Sequence, residues 1–122
     1  MKISPFQLFA VTGIVLLAAL VWNAKREIDR ADPRRQTGES GIVMLGASWC
    51  GYCKRLKAAL EQAQVPYTEL DVEDGAEGYD AFVALGGRGV PVTVIGQDVV
   101  YGYNTTRLGQ LLAERGHAVQ LQ

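Results

Sequence analysis

Metal- and disulfide-forming side chains are scarce in this chain of 122 residues, which holds one histidine, His117, and two cysteines, Cys50 and Cys53. A structural zinc site takes four such ligands, so a single copy cannot close one. Two cysteines also fall short of the disulfide framework of a small secreted domain. An excess of one charge sign is missing as well: 12 basic residues face 13 acidic ones, for a net charge of −1. Residues 41–122 carry six basic and nine acidic side chains, which argues against a nucleic-acid-binding surface. There is no internal repeat and no low-complexity tract. The length suits one domain of roughly 80 to 100 residues with a real core and is too short for two.

Charge is absent altogether from Ile3 to Ala24, a run of 22 residues. Its central stretch, FQLFAVTGIVLLAALVW, is long enough at ~1.5 Å per residue to cross most of a ~30 Å hydrocarbon layer. A cleaved signal peptide wants small residues at positions −3 and −1 of the cut, and Trp22-Asn23-Ala24 and Ala19-Leu20-Val21 suit this poorly. Residues 1–24 are therefore expected to form a retained transmembrane anchor, with a cleaved leader, a buried core helix and an interfacial helix as the competing readings. Trp22 sits where an interfacial aromatic belt would place it. Lys2 precedes the run, whereas Lys25, Arg26, Arg30, Arg34 and Arg35 follow it. The positive-inside rule then places the C-terminal domain on the cytoplasmic side; an ordinary signal anchor would send it outward. Residues 25–40 read as a charged juxtamembrane linker broken by Pro33 and Gly38. The helix is expected to end near Ala31, because the residue before a proline resists the α conformation, with a tether from Arg34 onward.

Residues 41–122 read as alternating strands and helices. GIVML is a short apolar run suited to a buried strand, and Leu56, Ala59, Leu60 and Ala63 recur on one helical face. VPYTELDV forms the second strand of a βαβ unit. Asp74 with Glu77 has the form of a capping box, opening a helix whose apolar stripe is Tyr79, Phe82 and Val83 and whose stop is Gly86-Gly87. VTVI and VVYG flank Gly96-Gln97, a two-residue hairpin signature. Leu108, Leu111 and Leu112 line a last helix capped by Asn104 or Thr105 and ended by Gly116. The order is β-α-β-α-β-β-α.

In ASWCGYCKRLKAAL the first strand gives way to a helix, which puts Cys50 at the helix N-terminus. Unpaired N–H groups and the positive end of the dipole stabilise a thiolate there. Cys50 is expected to be the nucleophile. Cys53, one turn on and in a more enclosed setting, is expected to resolve the mixed disulfide. Lys54, Arg55 and Lys57 lie near the same turn, either adding positive charge or forming a solvated face. His117, after the last helix, is read as a surface residue.

Three stretches, WCGYCKR, GVPVTVIG and GYNTTRLGQLL, give the segment from Gly41 to about Gly116 its resemblance to the glutaredoxin family of thioredoxin-like proteins. The resemblance implies an α/β thioredoxin-like fold with a four-stranded mixed sheet, preceded here by one transmembrane helix. It also implies a thiol-disulfide oxidoreductase with glutathione as co-substrate and no metal requirement. By resemblance Pro91 is cis beside the cysteines and the Val90 backbone pairs with an extended substrate or glutathione. Tyr52 matches the tyrosine that flanks glutathione, and Arg88 is placed to hold one carboxylate. Gly102, Tyr103, Asn104 and Thr105 stand where the family carries Gly-Gly followed by Asp, with the last helix N-terminus and the Thr105 hydroxyl suited to a carboxylate.

The chain departs from the family in having Gly51-Tyr52 between the cysteines and Ala47 where a basic residue is common. The Gly-aromatic pattern at Gly102-Tyr103 is also similar to glutaredoxin-like proteins that take electrons from thioredoxin reductase. Partners are thus a disulfide-containing or glutathionylated substrate, with glutathione or thioredoxin reductase as donor, and the membrane through the N-terminal helix. Two alternatives stay open: an iron–sulfur cluster carrier bridging two copies through Cys50 and glutathione, and an extracytoplasmic disulfide reductase or isomerase.

Overall fold

The computed structural model describes residues 2–122. Helix α1 (Pro5–Arg30) opens on a capping box the sequence reading passed over: Ser4 Oγ accepts the Gln7 N–H and Gln7 Oε1 accepts the Ser4 N–H, with Pro5 in the first turn. Pro suits that position because its missing N–H would be unsatisfied there anyway. The helix is apolar over a span sufficient to cross a bilayer, and none of its residues is buried against the rest of the chain.

The domain is a four-stranded sheet in the order β2-β1-β3-β4, comprising β1 (Ile42–Gly46), β2 (Thr68–Asp71), β3 (Val92–Ile95) and β4 (Asp98–Tyr101). Strand β1 runs parallel to β2 with Val43 opposite Thr68, and antiparallel to β3 with Ile42 opposite Ile95. The residues of central β1 are buried along its whole length. Its alternate side chains feed two cores. Ile42 and Met44 meet Leu56 and Leu60 of α3 (Gly51–Gln62) and Leu108, Leu111 and Leu112 of α5 (Thr105–Glu114). Val43 and Leu45 meet Ala81 of α4 (Ala76–Ala84) and Leu85 just beyond it. This is the thioredoxin-like architecture with a four-stranded mixed sheet that the resemblance implies.

Helix α4 differs from its sequence reading in both cap and face. Its N-cap is Gly75, with no side-chain cap, because Asp71 Oδ1 takes up the Glu73 and Asp74 amides at 2.8 and 3.2 Å. Its buried positions are Gly78 and Ala81; Tyr79 and Val83 are exposed and Phe82 is half-buried. Small residues win that face because the helix crosses β2 too closely for large ones. A Cβ on Gly78 would lie 1.9 Å from the Asp71 carbonyl oxygen.

The stretch from Arg34, expected to be a tether, is instead docked on the domain. Asp32 and Arg34 form a side-chain ion pair with bonds of 2.5–3.0 Å, which holds the Asp32 carboxyl below its usual range. Helix α2 (Arg34–Thr37) follows, with Pro33 and Thr37 buried. The Gln97 amide at the hairpin tip donates to the carbonyls of Arg34 and Gly38 at 2.9 and 2.8 Å. Arg115 spans the same strap, donating to the Glu39 and Ile95 carbonyls at 2.9 and 3.1 Å and to Asp98 at 3.2 Å. Polar side chains gave no periodicity to reveal this in the sequence, since Gln97 and Arg115 act on backbone carbonyls remote in the chain.

Thr93, in β3, is buried with no hydrogen-bond partner for its hydroxyl among the described residues. A buried unpaired hydroxyl costs about 1–3 kcal/mol, and valine has the same shape without it. Thr93→Val is expected to raise stability by about 1 kcal/mol and the melting temperature by several degrees. Thermal unfolding checks this, and a lowered midpoint would contradict it.

Candidate active site

Cys50 is the N-cap of α3, with extended backbone at φ −79° and ψ 109°. Its own Sγ accepts the Cys53 N–H at 3.1 Å, doing what a Ser or Asp oxygen does at an ordinary cap. An amide aimed at that sulfur stabilises it when it carries negative charge, and the helix dipole acts in the same sense. Cys50 and Cys53 are joined as a disulfide with their Cα atoms 5.2 Å apart.

Burial does not separate the two cysteines as the sequence reading expected, since both are 4% exposed and packed with Ala47, Val72 and Val90. The asymmetry lies in their neighbours. The amide contact belongs to Cys50, whereas Cys53 lies against Gly46 at the end of β1. A Cβ on Gly46 would come 3.2 Å from Cys53 Sγ, so glycine there leaves that sulfur its room.

Around the pair the rim is aromatic and charged. Trp49 and Tyr52 are 68% and 56% exposed. The Trp49 indole N–H donates to the Glu73 carboxylate, which rides on the loop that Asp71 organises. Tyr52 stacks on Tyr103 with ring centroids 5.3 Å apart, and the Arg55 guanidinium lies 5.6 Å from the Tyr52 centroid. Of the three cations near the first turn, Lys57 is engaged elsewhere: it pairs with Glu69 of β2 at 2.7 Å, which raises its pKa.

The Val90–Pro91 peptide bond is cis. The Pro91 carbonyl accepts the Gly102 N–H at 2.8 Å, which joins the two segments. Val90 and Gly102 border two adjoining depressions. One is lined further by Tyr52, Arg55, Tyr103 and Thr105, the other by Arg88, Gly89 and Tyr101. Tyr52, Val90, Gly102, Tyr103 and Thr105, singled out from sequence, thus meet in one groove. Pro91 is buried and does not line it. The Asn104 side chain is occupied as the cap of α5, accepting the Arg107 N–H at 3.0 Å.

Four contributors escaped the sequence reading: Gly46, Val72, Glu73 and Arg55 in its place over Tyr52. Only Arg55 left a trace there, as one of several cations. The rest act through close approach or a long-range contact, for which composition and spacing carry no signal.

Such an arrangement supports thiol-disulfide exchange. In such exchange a thiolate of the pair attacks a substrate disulfide, forming one S–S bond and expelling one substrate thiolate. The other cysteine then attacks the first one's sulfur, releasing the second thiolate and leaving the Cys50–Cys53 disulfide that the structure holds.

Known proteins show the same domain. Residues 42–100 match the glutaredoxin family model. A Mycobacterium tuberculosis protein named as a glutaredoxin is 39% identical over 54 residues, covering 43% of this chain and 64% of its own length. The chain therefore spans a little under two thirds of that curated relative. The crystal structure of a glutaredoxin from Archaeoglobus fulgidus superimposes with a TM-score of 0.53 at 30% identity, over 62% of this chain and 88% of that one. A buckwheat glutaredoxin–glutathione complex gives a TM-score of 0.57 at 24% identity, over 79% of this chain and 94% of that one, a likeness of fold.

Proposed function

We propose that this chain, whose cysteine-bearing domain belongs to the glutaredoxin family, is a membrane-anchored dithiol oxidoreductase that reduces protein or mixed disulfides with electrons from glutathione. The observation that carries the reaction is Cys50 Sγ seated on the Cys53 amide at the head of α3. Cys50 is the nucleophile and Cys53 the resolving thiol.

The groove supports a small anionic thiol as the reductant. Arg55 and Arg88 lie on either side of the shared Val90–Gly102 border, and neither has a carboxylate partner among the described residues. Glutathione carries two carboxylates on either side of its thiol, a spacing of charge that two separate guanidiniums suit. Tyr52, Tyr103 and Thr105 line the arm nearer Arg55. The N–H groups of Thr105 and Thr106 open α5 there, as donors to a carboxylate.

Detergent-solubilised full-length protein, assayed for disulfide reduction with glutathione plus its reductase and separately with thioredoxin reductase, tests the assignment. Turnover with glutathione supports it. Turnover only with thioredoxin reductase overturns the choice of donor and leaves the chemistry standing. Arg55→Ala and Arg88→Ala are each expected to raise KM for glutathione several-fold with kcat little changed, because both guanidiniums are exposed and their contacts fall below the roughly tenfold that a charge-assisted bond of about 1.5 kcal/mol would give. Unchanged KM in both would remove the guanidiniums from the donor site.

Helix α1 serves as the single membrane span in this proposal, with the domain on the cytoplasmic side by the distribution of Lys and Arg around it. Protease protection of the domain in sealed vesicles of known orientation tests that placement.

A further inference from the structure

We infer that the domain is held against the membrane in one orientation, with the cysteine pair on the pole turned away from the bilayer, so that its partners are disulfides standing clear of the lipid surface. This rests on reading α1 as a membrane span.

The first support is the absence of slack between helix and domain. Helix α1 continues to Arg30, its C-cap Ala31 is still in the right-handed helical region, and the Asp32–Arg34 pair closes the turn that follows. From Pro33 the strap is fastened to the domain by Gln97 at the hairpin tip and by Arg115 after α5. The Gly96 amide adds a bond to the Gly41 carbonyl at 2.8 Å, immediately before β1. A Cβ on Gly96, whose φ is +62°, would lie 2.3 Å from the Glu39 carbonyl oxygen, so strap and hairpin are in close contact. The last turns of α1 and the domain border a common crevice through Glu27, Arg30, Thr68, Glu77 and Asp80.

The second support is which end is fastened. The strap enters at the N-terminal end of β1, whereas Cys50 follows its C-terminal end. Five strand residues at ~3.3 Å each separate the two by roughly 16 Å. Trp49, Tyr52 and the Val90–Gly102 groove share the far end with Cys50.

The third is charge. Lys25 and Arg35 have no ion-pair partner among the described residues, and Arg26 lies 5.4 Å from the centroid of Trp22, bringing a cation to the level of an interfacial aromatic. With Arg30 and Arg34 paired to Glu27 and Asp32, the collar of cations left to attract anionic headgroups is Lys25, Arg26 and Arg35. Docking by the collar and pointing of the cysteines outward are the same posture.

The test keeps the native pair oxidised and adds single exposed cysteines for nitroxide labelling in the full-length chain: Ile14→Cys in α1, Arg35→Cys on the strap and Trp49→Cys beside the active pair. The labelled proteins are reconstituted in vesicles of neutral and anionic phospholipid containing a nickel-chelating headgroup lipid. Relaxation by dissolved oxygen at position 14 reports insertion, and its absence overturns the membrane reading itself. With insertion established, strong relaxation by headgroup nickel at position 35 and several-fold weaker relaxation at position 49 is the expected result. Equal relaxation at 35 and 49 means a loosely tethered domain, and stronger relaxation at 49 means an active site facing lipid; either overturns the inference. Thr106→Cys, on the outer end of α5, serves as a second far-pole label should Trp49→Cys disturb the rim.

Discussion

Cys50→Ser will reduce disulfide turnover to the uncatalysed rate with any donor, whereas Cys53→Ser will remove only part of the activity. The two sulfurs are equally buried, so the difference rests on their chemistry. Loss of Cys50 removes the atom that forms the first S–S bond, and deleting a nucleophile costs several orders of magnitude because no other group substitutes for it. Serine at position 50 still accepts the Cys53 amide, since a hydroxyl caps a helix well, so the fold is expected to persist. Unfolding midpoints of the reduced wild type, which lacks the Cys50–Cys53 cross-link as the variant does, and of the variant should therefore agree closely while the rates do not.

In Cys53→Ser the mixed disulfide on Cys50 still forms, and a free small thiol can displace it. Reduction of a glutathionylated peptide should survive, while reduction of a protein disulfide should stall with the substrate trapped on Cys50. Mass spectrometry of the stalled species reads the trapped adduct directly. Equal loss of both activities in the two variants would contradict the assigned roles. Full activity in Cys50→Ser would remove the proposed reaction altogether.

Much of this was legible in the sequence because the relevant signals are local. The strand ending before Trp49, the periodic Leu56, Ala59 and Leu60, and the Gly96-Gln97 turn each follow from backbone geometry and burial over a few residues. Together they fix the order of elements and place Cys50 at a helix N-terminus. The misreadings occur where a remote contact overrides a local pattern. Asp74 and Glu77 have the spacing of a capping box, but Asp71 already claims the Asp74 amide. Tyr79 and Val83 are the larger apolar residues of α4, yet the sheet accepts Gly78 and Ala81. Residues 33–40 look like solvated linker, and only the hairpin tip and Arg115, some 60 to 80 positions later, make them part of the domain. The groove is intermediate: its members came from resemblance, and its geometry depends on Tyr103 stacking on Tyr52 across half the domain.

Two glycine-to-alanine changes, both within helices, are expected to act in opposite directions. Alanine gains about 1 kcal/mol over glycine in a helix interior through backbone entropy. At Gly109 in α5 that gain should appear nearly whole, because an added Cβ meets only a Leu121 methyl at 4.0 Å. At Gly78 the same Cβ would lie 1.9 Å from the Asp71 carbonyl oxygen and 2.6 Å from its carbon, both backbone atoms that no rotamer change can clear. Helix α4 must then lift from β2. Overpacking of this kind costs about 1–3 kcal/mol and at times more, which exceeds the propensity gain, so Gly78→Ala should destabilise. The damage should reach the site, because the displaced Asp71–Val72 segment carries Val72 onto the cysteine pair and leads into the loop that brings Glu73 to Trp49. Urea unfolding of the two variants gives the sign of each effect. Trp49 emission altered from wild type in Gly78→Ala and unaltered in Gly109→Ala would show the displacement arriving at the rim, where Trp49 meets Glu73. A Gly78→Ala protein as stable as Gly109→Ala would mean that α4 does not lie this close to β2.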